Sequence, residues 1–142
     1  MIFAISYNIP SQNVTARRHW RANHRDVAQV AQMVRVVAWA ACNAKGPRSV
    51  IVTSYRKRRI TDGANLIGGA KPFVDGLVKA GALVDDNDKM ARITYRQGVL
   101  SKLPEEWARK YGRRPLTVVE IEDLNQTTEA PASNQSGKEQ SE

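Results

Sequence analysis

Five aspartates, Asp62, Asp75, Asp85, Asp86 and Asp88, fall between positions 62 and 88, and Lys71 sits among them. Bases bracket this block, with Arg56, Lys57, Arg58 and Arg59 before it and Lys89 and Arg92 after it. Carboxylates repel phosphate, so an acidic cluster inside a basic chain is unexpected for plain nucleic-acid binding. It becomes useful if the carboxylates hold Mg²⁺, a hard cation that takes oxygen ligands and bridges them to a phosphate. The competing explanation is local: Asp85-Asp86-Asn87-Asp88 is also what a solvated helix-to-strand turn looks like, because Asp and Asn side chains hydrogen-bond to the backbone of their own turn. An EF-hand is disfavoured, since no glycine or distal glutamate follows Asp86 or Asp88 at the required spacing.

Other chemistries are less well supported. His19 and His24 are five apart with no cysteine partners and do not make a zinc pattern. Gly68-Gly69 precede Lys71, but Pro72 stands where a phosphate-binding loop needs Ser or Thr, so a nucleotide triphosphatase is rejected. The basic runs Arg17-Arg18-His19-Trp20-Arg21 and Arg56 to Arg59 are the candidate phosphate contacts. Trp20 is placed either to stack on an unpaired base or to anchor its own loop. Trp39 and Trp107 read as packing residues.

The whole chain supports a polyanion partner. It has 142 residues, 42% of them hydrophobic, enough for one domain with one core. The formal net charge is +8. Residues 1–122 carry 21 bases against 10 acids, a net of +11, because Asp123, Glu129, Glu139 and Glu142 lie beyond them with Lys138 alone in opposition. Such an excess attracts nucleic acid. Cys42 is alone, which precludes an intramolecular disulfide and suits a small buried residue in a reducing compartment. No leader-like segment and no long apolar run is present, so the expectation is a cytoplasmic protein without a membrane partner.

The elements that must position these residues follow from periodicity. MIFAISYNI predicts an opening strand, ended by Pro10 and Ser11. A basic loop over residues 11–25 leads to a helix with Asp26 as N-cap, whose apolar positions Val27, Val30, Val34, Val37 and Ala41 carry it to Ala44 before Gly46 and Pro47. SVIVTSY at 49–55 predicts a core strand delivering the bases of 56–59, and residues 60–70 a Gly-containing turn. Pro72 opens a helix that Gly81 stops. ARITYRQGV and LTVVEIE are further strands, joined by an irregular or short helical stretch, PEEWARKYG, and a basic exit at Arg113-Arg114. Residues 123–142 have the composition of a disordered polar tail. The order β, α, β, α, β, β predicts a single α/β (α+β) domain over 1–122, a mixed sheet with helices packed on it.

The segment YRKRRITDGANLIGGAKPFVDGLVKAGALVDD resembles the core of RusA-type Holliday junction resolvases. In that family a basic strand end leads to an Asp-x-Asp-Asn-Leu turn, a lysine, a helix carrying an aspartate, and a glycine followed by Asp-Asp. The likeness covers about residues 53 to 95, with Pro10 and Asn13 adding to it. It implies Asp62 and Asp86 as metal ligands, with Asp85 and Asp75 as further candidates, and Lys71 as a catalytic base or as a stabiliser of phosphate charge. The family's second turn carboxylate falls on Ala64, and Gly68, Gly69 and Ala70 stand as extra residues before Lys71. The resemblance implies a Mg²⁺-dependent endodeoxyribonuclease, with Mn²⁺ as a substitute metal, that resolves four-way junctions as a homodimer in a bacterial or phage setting. The alternative is a non-catalytic branched-DNA-binding protein of the same fold, the site having lost a carboxylate at Ala64. A third is a basic interaction protein whose acidic turn is incidental.

Overall fold

The computed structural model describes residues 1–124, and the polar segment beyond them lies outside the described residues. Four strands make one mixed sheet: β1 (Ile2–Ile5), β2 (Arg48–Arg56), β3 (Ala91–Val99) and β4 (Leu116–Asp123), in the spatial order β1-β4-β2-β3. β4 runs antiparallel to both β1 and β2, while β2 and β3 are parallel. The parallel pair demands a crossover, which α3 (Gly63–Gly69) and α4 (Lys71–Ala80) supply. Helices α1 (Gln12–Arg17) and α2 (Trp20–Val37) precede β2, and α5 (Glu105–Tyr111) lies between β3 and β4. The expected mixed α/β architecture of one domain is the observed one.

The core lies between one sheet face and the helices. Val30 and Val34 of α2 and Phe73, Val74 and Leu77 of α4 pack on Phe3, Ile5, Val50, Val52, Val119 and Ile121. The alternation that predicted the strands also selects the inward residues: β2 is buried at Arg48, Val50, Val52 and Ser54 and half-buried between them. On the opposite face a smaller cluster forms where Leu103, Trp107 and Tyr111 meet Ala4, Leu116, Val118 and Tyr55. Gly81 ends α4 at φ 90°, a conformation costly for any residue with a Cβ, as its place after the periodic run predicts. Gly69 has a different reason: a Cβ there would lie 1.8 Å from the Pro10 carbonyl oxygen, so the glycine lets the end of α3 seat against the loop after β1.

Several expected boundaries are displaced. Asp26 is not an N-cap. The helix begins seven residues earlier than expected, at Trp20 rather than Val27, where the His19 ring nitrogen accepts the Arg21 N–H at 3.2 Å. Its first turns showed no periodicity because they are mostly solvent-facing, and Asp26 is spent on Arg18 and Tyr7. The helix also stops at Val37; a 3₁₀ turn at Trp39–Ala41 replaces its expected last stretch, leaving Cys42 only partly buried beyond the turn. Residues 63–69, expected as a turn, are helical, as are 105–111. Asp123, assigned to the tail, is the last residue of β4. No helix of the described residues is long and apolar enough to cross a membrane.

Candidate functional site

Lys71 is the first residue of α4, so Asp75 lies one turn along the same face. Leaving α4, the chain doubles back through buried Ala82 and Leu83 and brings Asp86 to the same place. The Lys71 ammonium donates to Asp75 Oδ1 at 2.9 Å and to Asp86 Oδ2 at 2.5 Å. The hydrogen bond from Lys71 holds the Asp86 carboxyl below its ordinary range. In return Asp86, and then Asp75, hold Lys71 well above the usual lysine range. A lysine so placed is a cation at neutral pH, the state a charge stabiliser requires.

Of the other three aspartates, Asp62 and Asp85 make local contacts and Asp88 has no partner among the described residues. Asp62 is the N-cap of α3, accepting the Ala64 N–H at 2.9 Å. Asp85 turns into its own loop: Oδ1 accepts the Asp86 N–H at 2.7 Å and Oδ2 accepts Asn87 Nδ2 at 3.2 Å. Asn87 Oδ1 accepts the N–H groups of Lys89 and Met90, each at 3.0 Å. The segment is therefore a self-bonded turn, as the local explanation of the aspartate run expects, and it also carries Asp86 to Lys71. Among the described residues no three acidic, histidine or cysteine side chains converge as a ready-made metal cage.

Two features of the site were not foreseen. Tyr95 of β3 lies within the field of Lys71 and Asp86, and burial raises its phenol above the ordinary value. A cleft of about 330 Å³ opens beside Lys71 and Asp75, with Gln12, Thr15, Asn23 and His24 on its far wall. Sequence spacing gives no sign of either, because β3 and the α1–α2 corner reach Lys71 only through the fold.

The candidate phosphate contacts divide into free and committed side chains. Arg17, Lys57 and Arg58 are exposed, and none of the three side chains has a hydrogen-bond partner among the described residues. Trp20 is 60% exposed at the start of α2, with the Arg21 guanidinium 5.5 Å from its ring centre and the His24 ring edge-on at 5.2 Å. Arg18 instead pairs with Asp26 at 2.6 Å, and Asp26 also accepts the Tyr7 hydroxyl at 2.9 Å. Arg56 departs furthest from expectation. Its Nη1 donates to the Ile9 carbonyl at 2.5 Å and its Nε to the Arg58 carbonyl at 2.9 Å, stapling the end of β2 to the loop after β1. Arg59 donates to the Gln97 carbonyl at 3.3 Å while remaining exposed.

Arg48, a residue with no sequence signal among so many bases, is the buried cation of the domain. It is 6% exposed, and its guanidinium reaches the carbonyls of Ala41 and Ala82, Asn43 Oδ1 and the Asp123 carboxylate. Comparison with protein-family models and with curated protein sequences finds no match to this chain.

Proposed function

We propose that the protein is a structure-selective endodeoxyribonuclease that hydrolyses phosphodiesters in branched DNA with Mg²⁺, working as a homodimer. The observation that carries this reading is the Lys71 ammonium set between the Asp75 and Asp86 carboxylates, in a domain otherwise strongly basic. Mg²⁺ is commonly held by one or two carboxylates, with phosphate oxygens and water completing its shell. Asp75 and Asp86 already face one cation and form a donor set of that kind, and Asp62, which caps α3 through Oδ1 alone, is the further candidate ligand. Bound there, Mg²⁺ would polarise the phosphate and acidify a water. Lys71, a cation at neutral pH as any ordinary lysine is, would offset charge that grows on the phosphate oxygens. The exposed bases Arg17, Lys57 and Arg58 would hold the flanking backbone, and Trp20 offers a stacking surface for an unpaired base at a branch point.

A second reading is favoured by a specific observation: with Ala64 lacking a carboxylate and Asp62 capping α3, the domain would bind branched DNA without cutting it. Cleavage of a labelled synthetic four-way junction, with Mg²⁺ and with chelator, beside Asp86→Asn, tests both. Symmetric nicks requiring metal and Asp86 are the expected result. Tight junction binding with no nicks would leave the binding protein, and equal affinity for junction and plain duplex would remove both.

A further inference from the structure

The cleft beside Lys71 is walled by one face each of α1 and α2 and by the junction of α3 with α4. The glycine pair ahead of Lys71 builds it. Gly69 admits the Pro10 carbonyl, and a Cβ at Gly68 would lie 2.5 Å from the Gln12 side-chain amide carbon, so together they let α1 lie directly against α3. The opposite wall is pinned as well, because Asn23 Nδ2 donates to the Thr15 carbonyl at 3.2 Å and ties α2 to α1. The cleft therefore stands preformed at about 330 Å³, the lower end of the size range of small-ligand sites.

Its lining suits a neutral polar ligand better than an anion. The lysine is already paired with Asp75 and Asp86, no arginine lines the cleft among the described residues, and the Asp75 carboxylate repels phosphate. Two groups remain for recognition. Gln12 is exposed, held against Gly68, and its side-chain amide has no hydrogen-bond partner among the described residues; nor has the His24 ring. A carboxamide presents a donor and an acceptor side by side, the pattern that matches the edge of a nucleobase. Trp20 stands one turn before His24 on the same face of α2, 60% exposed, its ring perpendicular to the imidazole at 5.2 Å. It offers a flat apolar surface next to the polar cleft.

We propose that this cleft receives one unpaired nucleobase, hydrogen-bonded at its edge by the Gln12 amide and His24 and flanked by Trp20. The proposal rests on reading the domain as a DNA-binding one; it does not depend on cleavage. A base is flat, neutral and edged with donors and acceptors, so it can enter beside Asp75 where a phosphate could not. Lys71 lies on the same wall, so the backbone of a seated nucleotide runs next to the Lys71, Asp75 and Asp86 group. Taking a base out of a duplex is costly, and least so for one that has already lost its partner. The cleft thereby selects for distorted DNA over plain duplex without reading sequence, and the phosphate contacts supply the rest of the affinity.

The test titrates the full chain, in chelator so that nothing is cut, against a duplex carrying one unpaired nucleotide and against the same duplex without it. Wild type is expected to bind the bulged duplex about tenfold more tightly. Gln12→Ala removes the amide, and Ala16→Phe, at an exposed position on the α1 wall, fills the cleft. Both are expected to lose most of that preference while binding plain duplex as wild type does and with the same salt slope, since neither removes a phosphate contact. Unchanged duplex binding also shows that the variants are folded. Iodouracil at the unpaired position is expected to crosslink wild type on irradiation at a peptide containing Trp20 or His24. A wild type indifferent to the unpaired base, variants that keep the full preference, or a crosslink mapped away from the cleft would each overturn the base site. Junction cleavage in Mg²⁺ is scored separately: nicks without any preference for the unpaired base would overturn this site and leave the nuclease, whereas a Gln12-dependent preference without nicks would uphold the site and leave the binding protein.

Discussion

The Lys71 ammonium lies 2.5 Å from Asp86 Oδ2, although the two residues stand at the start of α4 and beyond its far end. The contact holds Lys71 above the ordinary lysine range, so it is a cation at neutral pH. Lys71→Arg is expected to retain measurable cleavage, while Lys71→Gln loses about 10²-fold, the scale of one removed transition-state charge partner. A pH–rate profile should show no limb from deprotonation of Lys71 near neutrality. Folding should change by no more than about 1 kcal/mol, because the lysine is 59% exposed and water screens the pair.

The same pair sets a pH dependence of stability. Asp86 titrates lower in the folded chain than its ordinary 3.8, so its contribution is complete above that value and disappears as pH falls through the depressed folded value. Lys71 titrates above its ordinary 10.5, so its contribution is complete below that value and is lost as pH rises through the folded value. Urea denaturation of wild type and Asp86→Asn should therefore differ by a constant amount between these limits and converge in acid. A difference that grows in acid would contradict the assignment.

Asp62 separates a structural from a metal-binding role. As N-cap of α3 it should tolerate Ser, which can accept the same Ala64 N–H, whereas Ala should cost about 0.5 to 2 kcal/mol. If Asp62→Ser keeps both stability and cleavage, the cap is its whole role. Loss of cleavage with stability intact would make it a ligand after all.

Arg56 and its neighbours should part company under alanine substitution. Arg56→Ala strands the Ile9 carbonyl and is expected to destabilise the fold by about 1 to 3 kcal/mol. Lys57→Ala and Arg58→Ala should leave the melting temperature unchanged, weaken DNA binding, and reduce the salt slope by about 1 for each phosphate no longer neutralised. Thermal melts beside a salt titration of junction binding read both effects.

Arg48→Met should be among the most damaging substitutions in the chain. It leaves the Ala41 and Ala82 carbonyls without their donor at a buried site, and a loss of about 2 to 4 kcal/mol is expected by chemical denaturation. Asp123→Asn should cost much less, since that carboxylate is 79% exposed and amide oxygen can still accept.

The sequence alone determined the parts of this protein that depend on local periodicity and bulk charge. β2, β3 and β4 follow from alternation of apolar residues, α4 from Pro72 and Gly81 at its ends, and the mixed sheet from the order of elements, because strand and helix repeats are written into neighbouring positions. The net charge of +8 likewise needs no fold. Tertiary structure decided which charges are available. It sends Arg48, Arg18 and Arg56 to internal partners and brings Asp86 from beyond the far end of α4 onto Lys71, whereas the Asp62 cap, the Asp85 turn and the Lys71–Asp75 pair are local contacts that neighbouring positions already allow. A charged side chain is used by whichever group lies within about 3 Å of it, and that distance is set by how distant segments pack, a quantity no spacing along the chain records.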